Sequence, residues 1–137
     1  MERFLNLRKK KFAVYGLGAT GKSVINYFNK KKIRNYSVWD DNKILRKNFK
    51  SKTHDFEKSL NNQDFIVVSP GINIKKSKFK KKLIKFKKKI ITDLDLFYLI
   101  NPNVKTIVVT GTNGKSTTCK ILEHLLKKNK KKVKVGG

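Results

Sequence analysis

The sequence predicts an α/β fold, with a parallel-sheet first domain over residues 1–100 and the opening strand–loop–helix unit of a second domain over residues 101–137. Three observations carry the prediction. Gly16-Leu17-Gly18-Ala19-Thr20-Gly21 follows a short apolar run and precedes an apolar stripe at helical spacing. Val108-Val109-Thr110-Gly111-Thr112-Asn113-Gly114-Lys115-Ser116-Thr117 passes from a β-branched run through a glycine loop into a second helical stripe. Between them, Asn101-Pro102-Asn103 is the best linker in the chain, because Asn-Pro favours a turn over either regular structure.

The run Lys11-Phe12-Ala13-Val14-Tyr15 has strand length and leads directly into the first glycine stretch, which has the form G-x-G-x-x-G. Gly21, Val24, Ile25 and Phe28 then recur at i, i+3, i+4 and i+7, the stripe of a helix lying on a sheet. Tyr36-Ser37-Val38-Trp39 is a second strand ending at Asp40-Asp41. Asp40 falls about 20 residues beyond the loop, where a dinucleotide fold places an acid on a ribose or base. The first half therefore opens as a Rossmann-like β–α–β nucleotide-binding unit. A glycine turn with no ligand is the plain alternative.

Residues 42–62 are polar and lysine-rich, with short helical or turn pieces, and His54 among them reads as a surface residue. Asp64-Phe65-Ile66-Val67-Val68 is a buried-type strand that stops at Ser69-Pro70-Gly71-Ile72. Proline keeps the residue before it extended and glycine permits a sharp turn. Such a turn would stand at the carboxyl edge of a parallel sheet, where open α/β folds bind ligands, although a plain strand-ending turn fits the residues equally well. Phe79, Leu83 and Phe86 predict an amphipathic helix over residues 77–88, with lysines on its other face. Ile90-Ile91-Thr92 returns as a strand, and Asp93 to Ile100 follows as a short helix whose acids, Asp93 and Asp95, suit its N-terminus.

Beyond the linker, Val104 to Val109 is predicted as a strand, and Thr118, Ile121, Leu122, Leu125 and Leu126 as one stripe of a helix starting at Lys115. Val133 and Val135 suggest a further strand. The loop between has the chemistry of a phosphate cradle. Its glycines let backbone N–H groups close on a polyphosphate, its lysine reaches the outer phosphates, and the hydroxyl after the lysine can hold Mg²⁺. It departs from G-x-x-x-x-G-K-[ST] in having Val109 where the first glycine belongs. A phosphate-loop domain needs several parallel strands covered on both faces, so the chain reads as the front of a longer protein.

Composition narrows the function classes. Lys+Arg 35 against Asp+Glu 9 gives a formal charge of +26, which first suggests nucleic acid or an anionic membrane. The excess is nearly all lysine, and only Arg3, Arg8, Arg34 and Arg46 are arginine. Base readout favours arginine, and single-strand grooves interleave aromatics, whereas these lysines run together as Lys80-Lys81-Lys82 and Lys130-Lys131-Lys132. The charge is therefore read as solvated lysine faces from coding bias, with neither nucleic acid nor membrane as partner. The single Cys119 excludes an internal disulfide, fits a cytoplasmic setting, and reads as a small buried residue rather than a nucleophile.

Taken in order and spacing, the Gly16–Gly21 stretch, Ser69-Pro70-Gly71-Ile72, Asp93-Leu94-Asp95-Leu96-Phe97 and Thr110–Thr117 resemble the Mur ligase family, in its D-glutamate-adding branch. The resemblance covers essentially the whole chain but only about the first third of such an enzyme. It implies a UDP-binding first domain followed by the start of a central ATPase domain in a monomeric enzyme of peptidoglycan precursor synthesis. Gly16, Gly18, Ala19 and Thr20 would face the UDP phosphates, Asp40 the uracil–ribose end, and Ser69, Pro70 and Gly71 the same substrate. Gly111, Thr112, Asn113, Gly114, Lys115, Ser116 and Thr117 would hold ATP, with Lys115 neutralising the migrating γ-phosphoryl charge and Ser116 helping to ligate Mg²⁺. The implied reaction adds D-glutamate to UDP-N-acetylmuramoyl-L-alanine through an acyl phosphate.

Two departures stand out: Asp41-Asn42 occupies the place of polar or basic residues touching uracil, and Asp95 is shorter than the usual glutamate. The family's remaining Mg²⁺ carboxylate, its modified lysine and its amino-acid-binding domain have no counterpart in these residues, so the chain alone is expected to be inactive. Two other readings rest on parts of the same pattern. A nicotinamide-dinucleotide module accounts for the first loop and Asp40 but gives no reason for the second loop. A non-catalytic basic binding protein accounts for the charge alone.

Overall fold

The computed structural model describes residues 7–53 and 55–136, so His54 lies outside the described residues. The chain divides into two compact units, Met1–Pro102 and Asn103–Gly137.

The first unit is an α/β layer structure. Strands β1 (Phe12–Tyr15), β2 (Tyr36–Trp39), β3 (Phe65–Val68) and β4 (Ile90–Ile91) form one sheet in the order β2-β1-β3-β4, every pairing parallel. Parallel neighbours need covered crossovers, and α1 (Ala19–Lys30) supplies the first of them. Three single-turn helices, α2 (Lys43–Arg46), α3 (Lys50–Thr53) and α4 (Phe56–Ser59), fill the lysine-rich connection to β3. α5 (Lys80–Lys85) lies between β3 and β4, and α6 (Asp93–Ile100) follows β4.

Strand β1 is buried along its whole length because both faces of the sheet are covered. Its side chains alternate between two cores. Phe12 and Val14 join Val24, Ile25 and Phe28 of α1, Val38, Val67 and Leu96 of α6. Ala13 and Tyr15 join Phe56, Leu60, Ile66, Phe79 and Leu83 on the opposite face. The predicted α1 stripe is therefore the buried face of that helix, Gly21 included.

One element of this unit differs from expectation. The predicted helix over residues 77–88 is shortened to α5, because the Phe79 N–H is taken by Ser77 Oγ at 3.0 Å and a tight 3-10 turn begins at Lys87. At α6, by contrast, Asp95 caps the helix N-terminus as expected. Thr92 Oγ1 accepts from the Asp95 N–H at 3.2 Å, and Asp95 Oδ2 accepts from the Thr92 N–H at 2.7 Å, a reciprocal capping box.

The second unit contains α7 (Lys115–Lys128) and, among its described residues, no strand. The expected strands at Val104–Val109 and around Val133 and Val135 do not form. A strand exists by ladder pairing with a neighbour, and no strand is assigned among the described residues of these segments, where Ile107 and Val108 are 63% and 81% exposed. The α7 stripe is likewise uncovered: Ile121 and Leu125 are exposed, no residue of the helix is buried, and Cys119 is half-exposed rather than buried.

Candidate functional site

In the first unit the chain leaves β1 for β2 on one side and later returns to β3 on the other. The strand order therefore reverses at β1, and the carboxyl ends of β1 and β3 flank a crevice. A cleft of about 320 Å³ opens there. Gly16, Gly18, Ala19, Thr20, Asp40, Ser69, Pro70 and Gly71 line it together with Leu45 and Ile72. Three separated stretches of sequence thus meet at one edge of one sheet.

The floor is built by close backbone approach. Gly16 continues β1 with φ +105°, a conformation L side chains rarely adopt, and donates its N–H to the Trp39 carbonyl at 2.8 Å. A Cβ on Gly16 would sit 2.6 Å from Ser69 Cβ, and one on Gly21 would sit 1.8 Å from the Gly16 carbonyl oxygen. The Ser69 hydroxyl donates to that same carbonyl at 3.2 Å, and the Ser69 N–H extends the β1–β3 ladder to Tyr15.

The rim is different. A Cβ on Gly18 or Gly71 would meet no protein atom within 4 Å, and neither residue has positive φ. Packing demands glycine at Gly16 and Gly21 but not at these two. What a missing side chain leaves at Gly18 and Gly71 is room for something outside the protein. Gly18, which lines the cleft, is also the N-cap of α1, and no side chain caps that helix's first turn.

The wall at the end of β2 is polar and tightly tied. Asp40, 8% exposed, accepts from the Leu17 N–H at 2.6 Å and from the Asn42 N–H at 2.8 Å. Arg46 donates to the Asp40 carbonyl at 2.7 Å and stacks its guanidinium 4.0 Å from the Trp39 ring centre. Asp41, next in sequence, turns to the other core instead of the cleft. It accepts from Tyr15 Oη at 2.6 Å and from Trp39 Nε1 at 3.1 Å. Burial, reinforced by the bond to Asp41, pushes the Tyr15 phenol up to about 12, so Tyr15 stays a donor at neutral pH.

Sequence reasoning did not single out Leu45 or Ile72 as lining residues. Leu45 belongs to a helix of one turn, too short for periodicity to mark a face. Ile72 lies in the same turn as Ser69, whose carbonyl accepts the Ile72 N–H at 3.0 Å, and nothing in its identity separates cleft from core.

The second glycine loop belongs to the other unit. Gly111 and Gly114 both have positive φ, +147° and +76°. Lys115 folds back on the loop, donating to the Gly111 carbonyl and to the Thr112 carbonyl at 3.1 Å. Gly114 is the N-cap of α7, which no side chain caps, and the Thr118 N–H closes the first turn on the Gly114 carbonyl. Among the described residues no three His, Cys, Asp or Glu side chains converge on a possible metal position.

The Mur ligase MurD-like N-terminal domain family matches residues 10–92, a span that includes all four strands and every residue lining the cleft. The chain belongs to the MurD-like Mur ligases. Among curated relatives, the UDP-N-acetylmuramoylalanine--D-glutamate ligase of Wolbachia pipientis wMel is 38% identical over 137 residues, covering 95% of this chain and 27% of the relative. The enzyme of the same name from Francisella philomiragia is 38% identical over 127 residues, covering 90% of this chain and 28% of its own length. The chain thus spans about a quarter of the length of these relatives. No helix among the described residues is long and apolar enough to cross a membrane.

Proposed function

We propose that this chain is the nucleotide-recognising front of an ATP-dependent ligase that joins D-glutamate to UDP-N-acetylmuramoyl-L-alanine in peptidoglycan precursor synthesis. The observation that carries the proposal is the convergence of Gly16, Gly18, Ala19, Thr20, Asp40, Ser69, Pro70 and Gly71 on one cleft at the switch point of a parallel sheet. The names of the similar ligases support this choice of reaction.

In this reading the uncapped start of α1 receives the UDP phosphates, the vacancies at Gly18 and Gly71 let them approach the backbone, and Leu45 gives an apolar wall beside Asp40. The loop Gly111–Thr117 has glycine conformations and an uncapped helix start that suit a triphosphate, with Lys115 placed to leave its carbonyls and meet the outer phosphates. The Ser116 hydroxyl is this chain's contribution to Mg²⁺, in keeping with the ion's habit of binding through few protein oxygens plus phosphate and water. ATP supplies the phosphoryl group that activates the alanyl carboxylate as an acyl phosphate, from which the D-glutamate amine displaces phosphate. The residues here act by positioning and charge neutralisation, Lys115 foremost.

Equilibrium dialysis of the 137-residue chain against UDP-N-acetylmuramoyl-L-alanine tests the reading. Weak saturable binding is expected, with no phosphate released when ATP, Mg²⁺ and D-glutamate are added. Absence of binding at millimolar ligand, or phosphate release dependent on both substrates, would contradict it.

A further inference from the structure

The acid at the end of β2 has an occupation that its place in the cleft does not suggest. Asp40 is more than nine-tenths buried, and its two carboxylate oxygens each accept a backbone N–H, Oδ2 from Leu17 in the glycine loop and Oδ1 from Asn42 in the turn after β2. The 2.6 Å bond to Leu17 is at the short end for a charged acceptor. Leu17 is itself fully buried in the α1-side core, so its N–H has a fixed direction. The turn that carries Asp40 is also fixed. The Arg46 guanidinium holds the Asp40 carbonyl, Trp39 accepts the Gly16 N–H on its own carbonyl, and Tyr15 and Trp39 hold Asp41.

We propose that Asp40 is a positioning residue: it sets the shape of the Gly16–Gly18 loop by anchoring the Leu17 N–H to the end of β2, and acts on a bound nucleotide through that loop rather than by contact with the ribose or base. The inference rests on the cleft being the nucleotide site. Leu17 lies between Gly16, whose conformation is set by its approach to Ser69, and Gly18, which opens α1 toward the cleft. Holding the N–H between them fixes where the loop presents its phosphate-facing backbone. Loss of the carboxylate would let this loop relax and weaken the grip on phosphate, whatever is attached to it. A side chain that met the ribose would instead matter only for ligands that have one.

The two roles separate in a calorimetric titration of the chain and its Asp40→Asn variant with UDP and with inorganic pyrophosphate. Positioning predicts that the variant loses affinity for both by a common factor, about tenfold for one charge-assisted hydrogen bond. Loss for UDP with pyrophosphate unchanged would overturn the proposal. A measurement on the unsubstituted chain decides the matter should the variant not fold. The scalar coupling across the hydrogen bond between the Leu17 amide nitrogen and the Asp40 carboxyl carbon is expected to be present and to persist at saturating UDP. Its absence, or its disappearance when UDP binds, would overturn the proposal. If the unsubstituted chain binds neither UDP nor pyrophosphate, the nucleotide reading fails, and the Leu17–Asp40 coupling still reports whether the loop is anchored as described.

Discussion

The two glycine loops have similar sequence strength and very different surroundings. Around Gly16 the loop is tied to β2 through the Trp39 carbonyl and Asp40, to β3 through Ser69, and to its own helix through the close approach at Gly21. Around Gly111 the ties are local: Lys115 bonds carbonyls three and four residues away, and α7 closes on Gly114. The first loop stands on a sheet with two cores, whereas the second precedes a helix with no buried residue. A glycine motif specifies local conformation. A binding cleft also requires neighbouring strands to bring other loops beside it.

That contrast can be broken most forcefully at Gly21. A Cβ there collides with the Gly16 backbone, so Gly21→Ala is expected to unfold the first unit or to cost it several kcal/mol, read by urea denaturation followed through Trp39, the protein's sole tryptophan. Gly18→Ala sits three residues away with nothing to strike, and should cost no more than about 1 kcal/mol, the loss of a glycine N-cap, while weakening UDP binding. If both variants fold equally well, the distinction between packing-required and ligand-facing glycines is wrong.

Packing gives the next comparison. Phe28, fully buried against Phe12 at 4.7 Å between ring centres, should cost about 3–5 kcal/mol when replaced by alanine. Ile121 on α7 is exposed, and Ile121→Ala should change stability by no more than about 0.5 kcal/mol. Equal losses would mean that α7 packs as α1 does.

A smaller effect concerns the cap of α6. Thr92→Ala should cost about 1 kcal/mol in the same denaturation experiment. Bonds from the Thr92 backbone hold the Asp95 carboxyl below its usual value, and the Lys11 N–H chiefly does the same for Asp64. Because the folded values are depressed, both contributions are complete above about pH 4 and fade as the pH falls through the folded values. Asp95→Asn should therefore narrow the difference from the unsubstituted chain as the medium is acidified, and a difference that widened in acid would refute the assignment.

Much of the first unit was legible because its signals are periodic or covalent in origin. The α1 stripe, the β-branched runs and the glycine loop each imply local geometry that the sheet then uses. The convergence of Ser69, Gly16 and Asp40 was anticipated only by analogy with parallel sheets in general and with the family. Their hydrogen bonds were not legible, since no local rule says that Asp40 takes the Leu17 N–H or that Asp41 turns to Tyr15. The strand expected at Val104–Val109 shows the opposite limit. Its β-branched residues fit a strand, but a strand also depends on its neighbours, and none is formed among the described residues of that unit.

We propose that the cleft at the carboxyl ends of β1, β2 and β3 receives a uridine nucleotide. Calorimetric titration of the chain with UDP and, separately, with NADH tests it directly. Saturable binding of UDP that Gly18→Ala weakens is expected, with no comparable binding of NADH. Tighter binding of NADH than of UDP, or UDP binding indifferent to Gly18→Ala, would contradict it.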